Sequence, residues 1–120
     1  MTPQERKEVQ QLMDGIKEKN RLLTAKNDDI QTLVQTKAQA EHDYNIAVAK
    51  RTLDLKIGGE PVTTLKAIVS GDKTIAKLKM EFDVAEGVLK ACYKSIDILM
   101  TNIDSYRTLL SFLKEEMGRS

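Results

Sequence analysis

Few residues in this chain could do chemistry, and they are scattered. There is one histidine, His42, and one cysteine, Cys92. Bases, nucleophiles and metal ligands work in sets with defined spacing. No second His or Cys stands at a ligand spacing from either residue. His42 lies among polar residues of an expected helix and reads as a surface imidazole. Cys92 lies on an apolar stripe and reads as a small core residue. A single thiol excludes an internal disulfide and fits a reducing compartment. No GxGxxG or Walker-type loop occurs, and Gly58-Gly59 and Ser70-Gly71 read as helix boundaries. Carboxylates are abundant, but they recur at helical spacing with lysines, the pattern of solvated ion pairs. The expectation is a non-enzyme with no catalytic residue, no metal site and no cofactor.

What remains is local charge. Lys50, Arg51 and Lys56 cluster before Gly58-Gly59, Lys66 and Lys73 flank the following break, and Lys77 and Lys79 come one turn later. The acids nearby are Asp54, Glu60 and Asp72, while Asp97, Asp104, Glu115 and Glu116 lie toward the far end. The net charge of +1 excludes a globally basic, polyanion-coating chain. Repetition in an oligomer would turn this small patch into a band able to neutralise many phosphates. An aromatic platform for stacking bases is thin: aromatics are 4% of the chain, and Tyr44 and Tyr93, the nearest, read as core.

These residues must be positioned by helices. The 120 residues are the size of one domain, and 31% of them are charged, as suits long solvated helices. Thr2-Pro3-Gln4-Glu5 reads as a capping box with proline at the first helical position. From there a first long helix is predicted over 1–57, with Asn27-Asp28-Asp29 the weak stretch where it can bend. Residues 58–72 form a structured elbow. Gly58-Gly59-Glu60-Pro61 stops the first helix. Thr63 or Thr64 caps a short helical piece through Val69, and Ser70 or Asp72 caps the next helix. A second long helix is predicted over 73–117, with 118–120 fraying.

The second helix carries a stripe at steps of three and four: Ile75, Leu78, Phe82, Ala85, Leu89, Cys92, Ile96, Leu99, Ile103, Tyr106, Leu110 and Leu113. None of these is charged. The first helix carries a poorer one: Val9, Leu12, Ile16, Lys19, Leu23, Lys26, Ile30, Leu33, Lys37, Ala40, Tyr44 and Ala47. Such 3.5-residue repeats keep one face of a helix on a partner helix. Val84, Val88, Tyr93 and Met100 widen the apolar face of the second helix, which implies more than one neighbour. The predicted fold is all-α: a long helical hairpin with a structured elbow and a coiled-coil-like seam, assembling as a homo-oligomer. Ile75, Leu78, Phe82, Leu89, Ile96, Leu99, Ile103, Tyr106, Leu110 and Leu113 are the expected oligomer interface.

Several of these stretches together resemble a known family. They are Tyr44-Asn45-Ile46-Ala47-Val48-Ala49-Lys50-Arg51-Thr52-Leu53-Asp54, then the Gly-Gly break, then Ala67-Ile68-Val69-Ser70-Gly71-Asp72-Lys73, and a long amphipathic helix containing Ala85-Glu86. This arrangement is similar to small phage-encoded helical proteins of the UvsY-type recombination mediator family. There, a Lys-x-Arg-Leu-Asp stretch precedes a Gly-rich break, and a Val-Leu-Ser-Ala-Asp-Lys stretch and a long apolar helix follow. The likeness covers roughly residues 44–113. The resemblance implies a ring-like oligomer built through C-terminal helices, which binds single-stranded DNA and helps load a recombinase onto strands covered by single-strand-binding protein. Lys50 matches the family lysine and Lys73 the lysine after the second turn. The family arginine falls at Thr52, with Arg51 one position earlier, a rotation of about 100° around a helix.

The expected function is that of a non-catalytic, oligomeric single-stranded-DNA-binding accessory protein of phage recombination or replication. Lys50, Arg51, Lys56, Lys66 and Lys73 would contact phosphates, and the partners would be further copies of the chain, the strand, and a recombinase or single-strand-binding protein. The alternative is a phage structural or assembly adaptor, or a helical module that binds a host protein, without DNA binding. No basic-then-apolar leader and no apolar run of about 20 residues is present. The expected place is therefore the cytoplasm of a bacterial host, with no membrane partner.

Overall fold

The structure, a computed structural model, describes residues 2–119. It consists of three helices, α1 (Pro3–Ile57), α2 (Val62–Gly71) and α3 (Lys73–Arg119). Among the described residues there is no strand.

Local chemistry sets the helix ends. At the start of α1 the Glu5 N–H donates to the Thr2 hydroxyl and the Thr2 N–H donates to the Glu5 carboxylate, both at 3.1 Å. This reciprocal pair satisfies two of the donors a helix start leaves unpaired. α1 continues without interruption through Asn27–Asp29. Asn and Asp cost a helix interior no more than about 0.7 kcal/mol each relative to alanine, too little to break it between Leu23 and Ile30. α1 ends at the double glycine. The Glu60 N–H donates to the Leu55 carbonyl at 3.0 Å and the Gly59 N–H to the Lys56 carbonyl at 3.1 Å. Those two bonds make a Schellman closure, which needs a left-handed residue. Gly59 supplies it, with φ of 81°.

α2 begins at Val62 after Pro61, with no side-chain cap. The Thr64 hydroxyl turns back to the Pro61 carbonyl (2.9 Å) and the Glu60 carboxylate (3.1 Å) instead. α2 also runs two residues past Val69, so Ser70 lies inside it and does not cap α3. Asp72 does both remaining jobs. Its extended backbone (ψ 124°) breaks the chain direction. Its Oδ1 accepts from the N–H groups of Thr74 (2.9 Å) and Ile75 (3.0 Å), capping α3.

The packing falls into two compact units: Gln31–Ala91, and the chain up to Ile30 with the chain from Cys92 onward. In the second of these, Cys92, Ile96, Leu99 and Ile103 are buried, Ile103 most deeply at 4% exposure. The Cys92 Sγ lies 3.7 Å from the Lys26 carbonyl. The Tyr106 ring lies against Gly15, where a Cβ would come within 3.0 Å of it. In the unit Gln31–Ala91, Leu65, Val69, Ile75, Ala85 and Leu89 are buried, and Tyr44 packs on Phe82 with ring centroids 6.3 Å apart. Lys37 of α1 faces Glu86 of α3 at 3.8 Å.

Every position of the α3 stripe is buried or half-buried in a single chain, and so is every position of the poorer α1 stripe. Of the residues expected to form the oligomer interface, Ile75, Leu89, Ile96, Leu99 and Ile103 are buried within the single chain, and Leu78, Phe82, Tyr106, Leu110 and Leu113 are half-buried. α1 lies against this stripe at Phe82, Cys92 and Tyr106 within the same chain. Lys19, Lys26 and Lys37 do not prevent that contact, because lysine stems pack as hydrocarbon while the ammonium reaches water.

Candidate functional site

The five cations expected to act together are separated by the helices that carry them. Val48, Thr52 and Lys56 stand four residues apart on α1, and so share one face. Val62, Lys66, Val69 and Ser70 do the same on α2. The two faces meet in a hollow of about 430 Å³, completed by Tyr44, Leu65 and Ile75. Lys56 and Lys66 therefore border one concavity, within the unit Gln31–Ala91. Neither has an ion-pair partner among the described residues. Lys56 also sits in the last turn of α1, where a cation interacts favourably with the helix dipole.

Arg51 is placed differently. Its Nε lies 3.6 Å from Asp72 Oδ2, the carboxylate oxygen not engaged in capping α3. Lys50 stands about 200° around α1 from Val48 and is exposed beside Ile46 and Leu53. Lys73 is exposed in the first turn of α3 and does not border the hollow. A further cation, Lys79, lies over the Tyr44 and Phe82 rings at 5.7 and 5.4 Å from their centroids. Its ammonium is held protonated beyond the ordinary lysine range, chiefly by its hydrogen bond to Asp83 at 2.9 Å.

Thr52 and Ser70 were not among the residues singled out by charge. Both border the hollow, and neither hydroxyl has a hydrogen bond among the described residues. By contrast Thr36 and Thr108 donate to the carbonyls of Thr32 and Asp104. The four-residue spacing of Val48-Thr52-Lys56 and Val62-Lys66-Ser70 carried the signal, but reading it needs the direction of α2.

Two other concavities lie in the same unit. A hollow of about 810 Å³ is lined by Gln35, Gln39, His42, Asp43 and Glu81, with no lysine or arginine, so its charge repels phosphate. An apolar groove of about 400 Å³ runs between Leu33 and Thr36 of α1 and Met80, Val84 and Val88 of α3. Among the described residues no group of three His, Cys, Asp or Glu could hold a metal ion. No helix among the described residues is long and apolar enough to cross a membrane. Comparison with protein families, characterised proteins and solved structures finds no match to this chain.

Proposed function

We propose that this chain is a non-catalytic, homo-oligomeric protein that binds single-stranded DNA without sequence preference, as an accessory in phage recombination or replication beside a recombinase or a single-strand-binding protein. The observation that carries the reading is the pair Lys56 and Lys66, two ammonium groups without carboxylate partners on the rim of one hollow. Lys50 and Lys73 add charge on neighbouring surfaces, and Arg51 joins them only when it leaves Asp72. Phosphate contacts of this kind release counterions, so affinity should fall steeply with salt. The test is a titration of a fluorescent oligo-dT strand at several salt concentrations. Lys66→Ala should weaken binding and lower the salt slope by about one unit. No affinity at low salt would end this reading.

The same proposal includes pairing of α1 and α3 in coiled-coil fashion and assembly of several copies. Beside the apolar stripe of α3, a second surface is open to other copies. One position before that stripe runs a second heptad-spaced row: Val84, Val88, Ala91, Ser95, Ile98, Asn102, Ser105, Leu109 and Phe112, none of them charged. Its large members, Val84, Val88, Ile98, Leu109 and Phe112, are all exposed. A helix with two adjacent apolar rows serves two neighbours.

This row also favours a second reading, an adaptor or host-protein-binding helical module that ignores DNA. A stoichiometric protein complex that survives nuclease, from a chain with no affinity for oligo-dT, would select it.

A further inference from the structure

The hollow bordered by Lys56 and Lys66 has the parts needed to hold more than a phosphate. Its walls are apolar, from Val48, Val62, Leu65 and Val69. Thr52 and Ser70 border it, their hydroxyls bonded to none of the described residues, and a hydroxyl can both donate and accept. Its rim is cationic. At about 430 Å³ it lies within the range of small-molecule sites.

We infer that this hollow receives one unstacked nucleobase of a bound strand, with the adjoining phosphate held by Lys56 and Lys66. The inference rests on the strand-binding reading above and specifies its contact. A base drawn out of a stack is held between apolar side chains and by hydrogen bonds to its edge. Val48 and Val62 cover its faces, and Thr52 and Ser70 meet its edge. The pattern does not discriminate among bases, because every base presents two flat faces and hydroxyls accept either a donor or an acceptor. The scarcity of stacking aromatics in this chain is then no obstacle: the apolar side chains of the hollow take the place of an aromatic platform.

Two strands of equal length decide the matter, one of oligo-dT and one in which every base is replaced by an abasic site. Each is titrated with the full chain over a range of salt. The abasic strand should bind about tenfold more weakly, with an unchanged salt slope, because the phosphates remain. Ser70→Leu places a neutral, non-stacking plug in the hollow from an exposed position of α2. It should bring oligo-dT down to the abasic affinity. Equal binding of the two strands would overturn base capture while leaving strand binding intact. Binding of neither strand at low salt would remove the strand reading itself. The strand comparison needs no variant, so it decides the question even if the plug impairs folding.

Discussion

Asp72 does two structural jobs with one carboxylate, and its neighbours show how a charged residue's role depends on what folding places beside it. One oxygen caps α3 through two backbone N–H groups, and the other faces Arg51. The cap outweighs the ion pair: losing it costs about 1 kcal/mol, whereas a surface pair contributes between about 0 and 1. Asp72→Ala should therefore lower stability by about 1 kcal/mol in a urea melt, and Asp72→Asn, which can still cap, by much less. If Asp72→Asn also strengthens binding to oligo-dT at low salt, Arg51 is a reserve contact; unchanged binding would make it purely structural. Glu86 makes a pH prediction. Its carboxyl is held below the usual carboxylate value of 4.5, first by its hydrogen bond to Lys90 and then by the charges of Lys90 and Lys37. A depressed carboxylate stabilises the fold above its unfolded pKa and loses that contribution as pH falls through the folded value. Melting temperatures should therefore drop below about pH 4.5, and Glu86→Gln should flatten that limb. At this scale the Thr2–Glu5 capping box and the Asp72 cap of α3 were legible, because capping is local; the expected Thr63 or Thr64 cap of α2 does not form, since Pro61 precedes that helix and the Thr64 hydroxyl turns back to the Pro61 carbonyl. The partner of Arg51 was not, because it lies beyond a double glycine and a whole helix.

The elements extend past the punctuation that sequence reading relies on. Ser70-Gly71 looked like a stop, yet α2 includes both, because the change of direction falls on Asp72. The apolar periodicity of α3 was legible from its spacing. That it faces α1 of the same chain was not, since a heptad does not record which chain its partner helix belongs to. The two glycines within the long helices separate helix propensity from packing. Gly87 has open space where a Cβ would go, and Gly15 would set one 3.0 Å from the Tyr106 ring. Alanine gains up to about 1 kcal/mol over glycine in a helix interior. Gly87→Ala should realise most of that as a raised melting temperature. Gly15→Ala should gain less or lose stability, since the Tyr106 ring must move. Equal effects in thermal melts would mean that Tyr106 does not constrain this site.

At the scale of the whole molecule, α3 carries one row that is buried or half-buried and a second whose large apolar members are exposed; on the assembly reading proposed above, the second row serves other copies. Ile103 belongs to the buried row, so Ile103→Ala should cost about 2–5 kcal/mol and reduce the cooperativity of the melt. Leu109 and Phe112 belong to the exposed row, at 51% and 58% exposure. Leu109→Asp with Phe112→Asp should leave the helical circular dichroism intact while lowering the mass seen by light scattering. A mass unaffected by those charges would place assembly on another surface. Composition made the all-helical fold legible, but the division between the rows was not. Both rows follow the same spacing, and only the structure shows which one α1 covers.

Cys92 is buried against the Lys26 carbonyl and has no second thiol to pair with. It therefore serves as a chemical clock. An alkylating reagent reaches a buried sulfur only in the moments when the surrounding helices part, so the rate of its consumption reports how often they do. Followed with and without a bound strand or a second copy, that single thiol would tell, on one unlabelled protein, which partner quiets the motion of the chain around it.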